Sequence, residues 1–324
     1  MIIMPNFSGV WNLKEHGVAV KGDRWDSPPV FGYFAGGWAS GASTRTQIDF
    51  VNIGTTGNAT DYGDLTHAMS LGNNGSVASA TRGITGGGDG LSSYEDIKYV
   101  TIPSAGTNAD FGDLTVFRYA LAGLSNSTRG VFGGGNTSSD TIDYITIAST
   151  GDASDFGDTT HSMEYLSGLA SPTRGIFASG HLTANGDTIE YITIASAGNA
   201  TDFGNLSRAK KMAASLSSST RGIIAGGSNL TSPGSGATNV IEYITIASAG
   251  DATDFGDLTA VVELCTGTSS STRGIIAGGQ ASSVFKNDIQ FITIASTGNA
   301  TDFGDLTVGI YQCTPFSNGH GGLG

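Results

Sequence analysis

The chain has 324 residues, with 15 Lys and Arg against 28 Asp and Glu and a net charge of −13. It therefore has no overall basic character for binding phosphates, which argues against nucleic acid and anionic membranes as partners. With 50 Gly but only 7 Pro it is neither collagen nor a Pro-rich linker, and it has no apolar run long enough for a spanning helix.

In chain order, the first element is an arm, residues 1–28. Its opening, MIIMPNFSGVW, lacks a basic n-region and a proper apolar h-region, so no secretion signal is expected. The arm carries five apolar anchors, Phe7, Trp11, Leu13, Val18 and Trp25. A free tail is seldom so apolar, and the arm is read as a docking segment for a partner. The alternative is that it folds back on its own domain.

From residue 29 onward the chain repeats. The Asp of D-[FY]-G-[DN] recurs at Asp61, Asp110, Asp155, Asp202, Asp254 and Asp302, in steps of 49, 45, 47, 52 and 48 residues. The Arg of a Thr-Arg pair recurs at Arg82, Arg129, Arg174, Arg221 and Arg273. Each unit reads as four short strands, with no helical period. In unit five these are AASLS (213–217), GIIAGG (222–227), VIEYITIAS (240–248) and the segment TDFGDLT (253–259). In the third strand, Ile241 and Tyr243 lie on one side and Ile244 and Ile246 on the other, so both faces need cover. A repeat of this length with that environment predicts an all-β fold, a six-bladed β-propeller of four-stranded antiparallel blades spanning 29–324.

The first unit lacks an opening strand and the last is followed by a spare one. Counting from Thr307 places His320 at the Thr-Arg turn position. Residues 307–318 are therefore expected to complete blade 1 and close the ring against Phe31–Gly36. Cys265 and Cys313 occupy equivalent positions among small or apolar residues and are read as buried structural thiols.

These residues resemble a kelch repeat. GIIAGG is similar to its double-glycine strand, IEYITI to its third strand, and TDFGDLT to its fourth, with Phe where kelch usually has Trp. That likeness implies a fold and no single function. The phrases TIDYITIAST and STRGVFGGG, with the opening NFSGVWNLKEHGVAVKGDRWDSPP, also resemble repeat proteins of tailed bacteriophages. This resemblance implies a virion component made in the host cytoplasm, such as a fibre, decoration or tail-associated propeller, that contacts other virion proteins through residues 1–28.

Turns alternate between the two ends of an antiparallel blade. One propeller face should carry the constant Thr-Arg and TGNATD turns, whose Arg and Asp residues could pair. The other should carry the loops after the glycine pairs, which differ in every unit. Loops that vary on a copied scaffold are where recognition is placed. The candidates are Trp38, Tyr94, Asn136, His181, Asn229 and Phe285, facing a host-surface glycan or protein. No nucleophile, metal-ligand or phosphate-loop pattern occurs, and the Asp-rich turns lack the ordered ligand set of a calcium loop. No cofactor and no enzymatic activity are expected. The competing expectation is a carbohydrate-binding or carbohydrate-active propeller.

Overall fold

The computed structural model describes residues 29–39, 43–65, 75–88, 95–102, 108–136, 139–181, 186–230 and 236–323. The arm and Tyr94 lie outside them. Six four-stranded antiparallel blades form a closed ring. Blade 3 shows the plan. Ala122–Ser125 is innermost, followed outward by Arg129–Gly133, Thr141–Thr146 and Ser154–Asp158. Blade 1 takes its innermost strand, Thr314–Ser317, from the C-terminus, paired Gly32 to Ser317 and Ala35 to Thr314. The expected closure is present. Asn318 continues the mimicry across the chain break, because its Oδ1 accepts the Phe31 N–H at 2.8 Å as Asn126 accepts that of Arg129.

Both faces of the middle strands are buried, as their two-sided apolar pattern required. Phe34, Ile84, Phe132, Phe177, Ile224 and Ile275 are fully or almost fully covered between blades. The outer strand of each blade carries a bulge at Asp-Phe-Gly, or Asp-Tyr-Gly in blade 1; in blade 3 the pairing steps from Ile142–Gly157 to Asp143–Asp155 and leaves Phe156 unpaired. The extra residue turns the Phe ring inward. It meets the third-strand aromatic edge-on, as in Tyr144–Phe156 at 6.0 Å.

The Thr-Arg phrase forms the seam between blades. Each guanidinium lies over the third-strand ring of its own blade, Arg129 over Tyr144 at 4.3 Å and Arg221 over Tyr243 at 4.3 Å. Each also donates from Nη1 to an Ile carbonyl of the next blade. Arg82 reaches Ile147, Arg129 Ile194, Arg174 Ile246, Arg221 Ile294, and Arg273 Ile53, at 2.7–3.0 Å. The anticipated Arg–Asp pairing does not occur: among the described residues none of the five forms an ion pair. The carbonyl is nearer and already fixed, so a planar donor stacked on a ring reaches it directly. Blade 1 has Phe31 at the Arg position. There the Tyr62 hydroxyl, standing where other blades have Phe, donates to the Ile102 carbonyl in its place.

The TGNATD turn is the second half of the seam. In blade 4, Gly198 N–H bonds to Phe156 O at 2.6 Å and Ala200 N–H to Asp158 O at 2.7 Å on the preceding blade. Asn199 Oδ1 accepts the Asp158 N–H at 3.1 Å. The same set recurs at four other seams, where Asn58, Asp152, Asp251 and Asn299 accept. Only an acceptor oxygen is needed, which is why Asn and Asp interchange. A Cβ on Gly157 would lie 2.6 Å from the Gly198 backbone, so the Gly of Asp-Phe-Gly permits this approach. The remaining outer-strand carboxylates charge the rim and discourage edge-to-edge pairing.

Replacing Arg221 by Ala removes a charge-assisted bond and a ring contact, together worth about 2 kcal/mol. For a domain of this size the expected fall in thermal midpoint is roughly 3 °C, and Lys at this position should recover less than half. An unchanged midpoint by calorimetry would show that the clamp contributes nothing.

Candidate functional site

At the variable end, each blade-to-blade connection runs from the outer strand back to the next inner strand. In five of the six connections a Thr or Ser near the start is held by a buried polar side chain on the third strand of the following blade; residues 66–74 of the other lie outside the described residues. Thr307 is bound by Asp49, Thr115 by Asp143, Thr160 by Glu190, Ser207 by Glu242 and Thr259 by Gln290. Four of these are carboxylates, each essentially sealed from solvent and each faced by a basic side chain. Arg118 meets Asp143 at 2.7 Å, Lys210 meets Glu242 at 2.5 Å, and Arg45 and His161 face Asp49 and Glu190 at 3.7 and 3.5 Å. In blade 6 the connection carries apolar Val262 where Arg118 and Lys210 stand, and the third-strand residue is the neutral Gln290. Charge is thus matched blade by blade, as burial demands. Burial alone would raise the Glu242 carboxyl, but the Lys210 ammonium and the Ser207 bonds outweigh it and hold it below its ordinary value.

Five residues further along the connection the backbone turns left-handed at a non-glycine residue. Ala120, Tyr165, Met212, Leu264 and Gln312 all have φ of 55–58°. The turn points each N–H along the ring. Tyr165 donates to Ala120 O, Met212 to Tyr165 O, Leu264 to Met212 O and Gln312 to Leu264 O, at 2.7–3.3 Å. This collar of peptide groups offsets a conformational cost of about 1–2 kcal/mol per residue. The residues that follow, Leu121, Leu166, Ala213, Cys265 and Cys313, line an axial cavity of about 120 Å³. Among the described residues the collar therefore follows the cavity mouth over five of the six connections. Both thiols are buried, and burial pushes them up to about 11 for Cys265 and about 12 for Cys313.

The cavity wall below is built from small and hydroxyl residues, among them Ser76, Gly123, Gly168, Ser215 and Gly267. Serines close the exposed inner-strand edges, Ser125 donating to Ala78 O and Ser217 to Ala170 O. No Asp or Glu is among its described lining residues. The constant end is closed by the C-terminal tail. The counting rule placed His320 in a turn, but the chain instead enters the axis there. Its Nδ1 accepts the Gly322 N–H at 3.2 Å, so Nε2 carries the proton and donates to Ala78 O at 3.1 Å. A Cβ on Gly322 would lie 1.8 Å from Ser125 O, so only glycine passes.

The sequence-derived candidates lie at the roots of the variable loops, where the chain leaves the glycine pair and ladders onto the incoming connection. Trp38 pairs with Tyr311 in backbone register and stacks on it at 6.4 Å. Phe285 meets the same Tyr311 edge-on at 4.8 Å, so Trp38 and Phe285 are gathered by a residue the sequence reading missed. His181 bridges to Glu164. Asn229 pairs with Lys210 in a small extra sheet. Asn136 corrects the expectation of a solvent-facing loop residue. It is buried, and its Oδ1 accepts the Tyr119 N–H at 2.8 Å. The exposed large apolar side chains among the described residues, Val116, Phe117, Val261 and Val284, all belong to this end's connections and loops. No cluster of three or more His, Cys, Asp or Glu suited to a metal occurs among the described residues.

No protein-family model matches the chain, and no curated protein matches it.

Two outcomes test this geometry. Burial lowers the His320 imidazole below its ordinary value, against the opposing bond to Ala78. Below about pH 6.5 the unfolded chain then takes up more protons, so stability falls as pH drops through that range. The loss of thermal midpoint between pH 7.5 and pH 5 should be smaller in His320→Gln than in the natural protein; equal losses would contradict it. Gln312→Gly, which relieves the left-handed residue, should raise the midpoint by about 1–3 °C, and Gln312→Val should lower it.

Proposed function

We propose that this protein is a non-enzymatic display module of a tailed-phage particle, a rigid propeller docked through residues 1–28 that presents its variable end to the host surface. The observation that carries the reading is the division of labour between the two ends. One end consists of copied turns whose side chains are consumed by the seams, and its axis is closed by the chain's own tail. The other end combines a copied backbone collar with side chains that differ in every blade, and it holds the exposed apolar residues. A fixed frame bearing unlike side chains suits recognition. The phage context rests on the likeness of the repeat phrases and of the opening segment to virion repeat proteins. The anchors Phe7, Trp11, Leu13, Val18 and Trp25 suit an apolar groove on a neighbouring virion protein.

Immunogold labelling of purified particles with antibody against the propeller tests this reading. The full chain should label particles, and a chain lacking residues 1–28 should fold with the same thermal midpoint yet leave them unlabelled. Full-strength labelling without the arm, or none with it, would overturn the proposal.

A further inference from the structure

The collar holds one cluster that the reading above leaves unspecified. Tyr119, Glu164, Tyr165 and Lys211 come from three successive connections and His181 from the loop of blade 4. His181 Nδ1 lies 3.1 Å from Glu164 Oε1. Lys211 Nζ stands 5.4 Å from the centroid of the Tyr165 ring. Burial, then Glu164 and Tyr119, raise the Tyr165 phenol above its ordinary value, so these groups sense one another. At Asp49, Asp143, Glu190 and Glu242 the carboxylate is sealed inside the seam and serves the fold. Here the His181 and Glu164 side chains are 45% and 31% exposed. Glu164 is a connection residue without a Thr or Ser to hold; the equivalent Glu263 makes the same bridge to the neutral Gln280, whereas Glu164 meets an imidazole.

The cluster's chemistry selects a ligand class. A carboxylate beside an imidazole and an ammonium offers acceptors and donors side by side. An anionic ligand would meet Glu164, and a cationic one would meet Lys211 and His181. A ligand whose neighbouring groups each donate and accept avoids both conflicts, and vicinal hydroxyls are such groups. The half-buried Tyr165 ring adds an aromatic surface for an apolar ring face. With Nδ1 committed to Glu164, His181 keeps Nε2 for a ligand. The tail closes the far end of the axis, so access is from this end.

We infer that Tyr165, Glu164, His181 and Lys211, with Tyr119 at their edge, form a binding site for an uncharged saccharide at the collar between blades 3 and 5. This rests on the reading of the variable end as the recognition surface and names what that surface takes.

Ligand-observed saturation-transfer NMR on the full chain tests it. The probes are galactose, N-acetylglucosamine and lactose, with glucuronate and glucosamine as charged comparators. Transfer should occur to at least one neutral sugar and be weaker to both charged ones. Tyr165→Ala and Glu164→Gln should each weaken binding about tenfold, while Ser271→Ala, an exposed turn residue at the opposite end of the ring, should leave it unchanged. His181→Asn, on an exposed side chain, gives a second readout should Tyr165→Ala fail to fold, and is also expected to weaken binding. Absence of transfer to all three neutral sugars, preference for a charged sugar, or equal binding by the collar variants overturns the inference. Particles labelled through the arm, with no sugar bound, would sink this inference alone and leave the display reading standing.

Discussion

The fold depends on one constraint: six sheets that share no strand must be held face to face around the ring. Side-chain burial between the blades is non-directional, and alone it would let them slide. The seams add direction. A guanidinium stacked on its own blade reaches a carbonyl of the next, and a surface turn lays two N–H groups and one acceptor against the neighbouring outer strand. Every one of these bonds is to backbone, whose position varies little with sequence. This accounts for long phrases copied almost letter for letter, since a side chain aimed at a peptide group has few substitutes.

Blade 1 shows how the same requirement is met without the phrase. Its second strand starts the described chain and brings Phe31 where Arg stands elsewhere. The Tyr62 hydroxyl supplies the donor, and Asn318 supplies the turn cap from the other end of the chain. An aromatic group of Phe31, Tyr33, Phe50, Tyr62 and Phe316 fills the space left by the missing guanidinium. The physical role persists while the residues change.

The ring was legible from the repeat period and the two-sided third strand, and its closure from counting alone. The seams were not. The partner of each Arg is a carbonyl, which every residue has, so no letter marks it. The collar was hidden for a related reason. Left-handed backbone is normally signalled by Gly or Asn, whereas here Ala, Tyr, Met, Leu and Gln all accept it because an inter-blade bond repays the cost. Asp49, Asp143, Glu190 and Glu242 did leave a signal, one polar residue at a fixed place in an apolar strand. The site residues were half-read. The loops after the glycines drew attention to Trp38 and His181, but their partners Tyr311 and Glu164 sit on connections that look like linkers.

The copied turns, though they lie at the surface, are structural joints. Amide hydrogen exchange of Gly57, Gly151, Gly198, Gly250 and Gly298 tests this most directly. Exchange should be as slow as in the inner strands, because each N–H is bonded across a seam at 2.6–2.8 Å. Exchange at the rate of an open surface turn would contradict it.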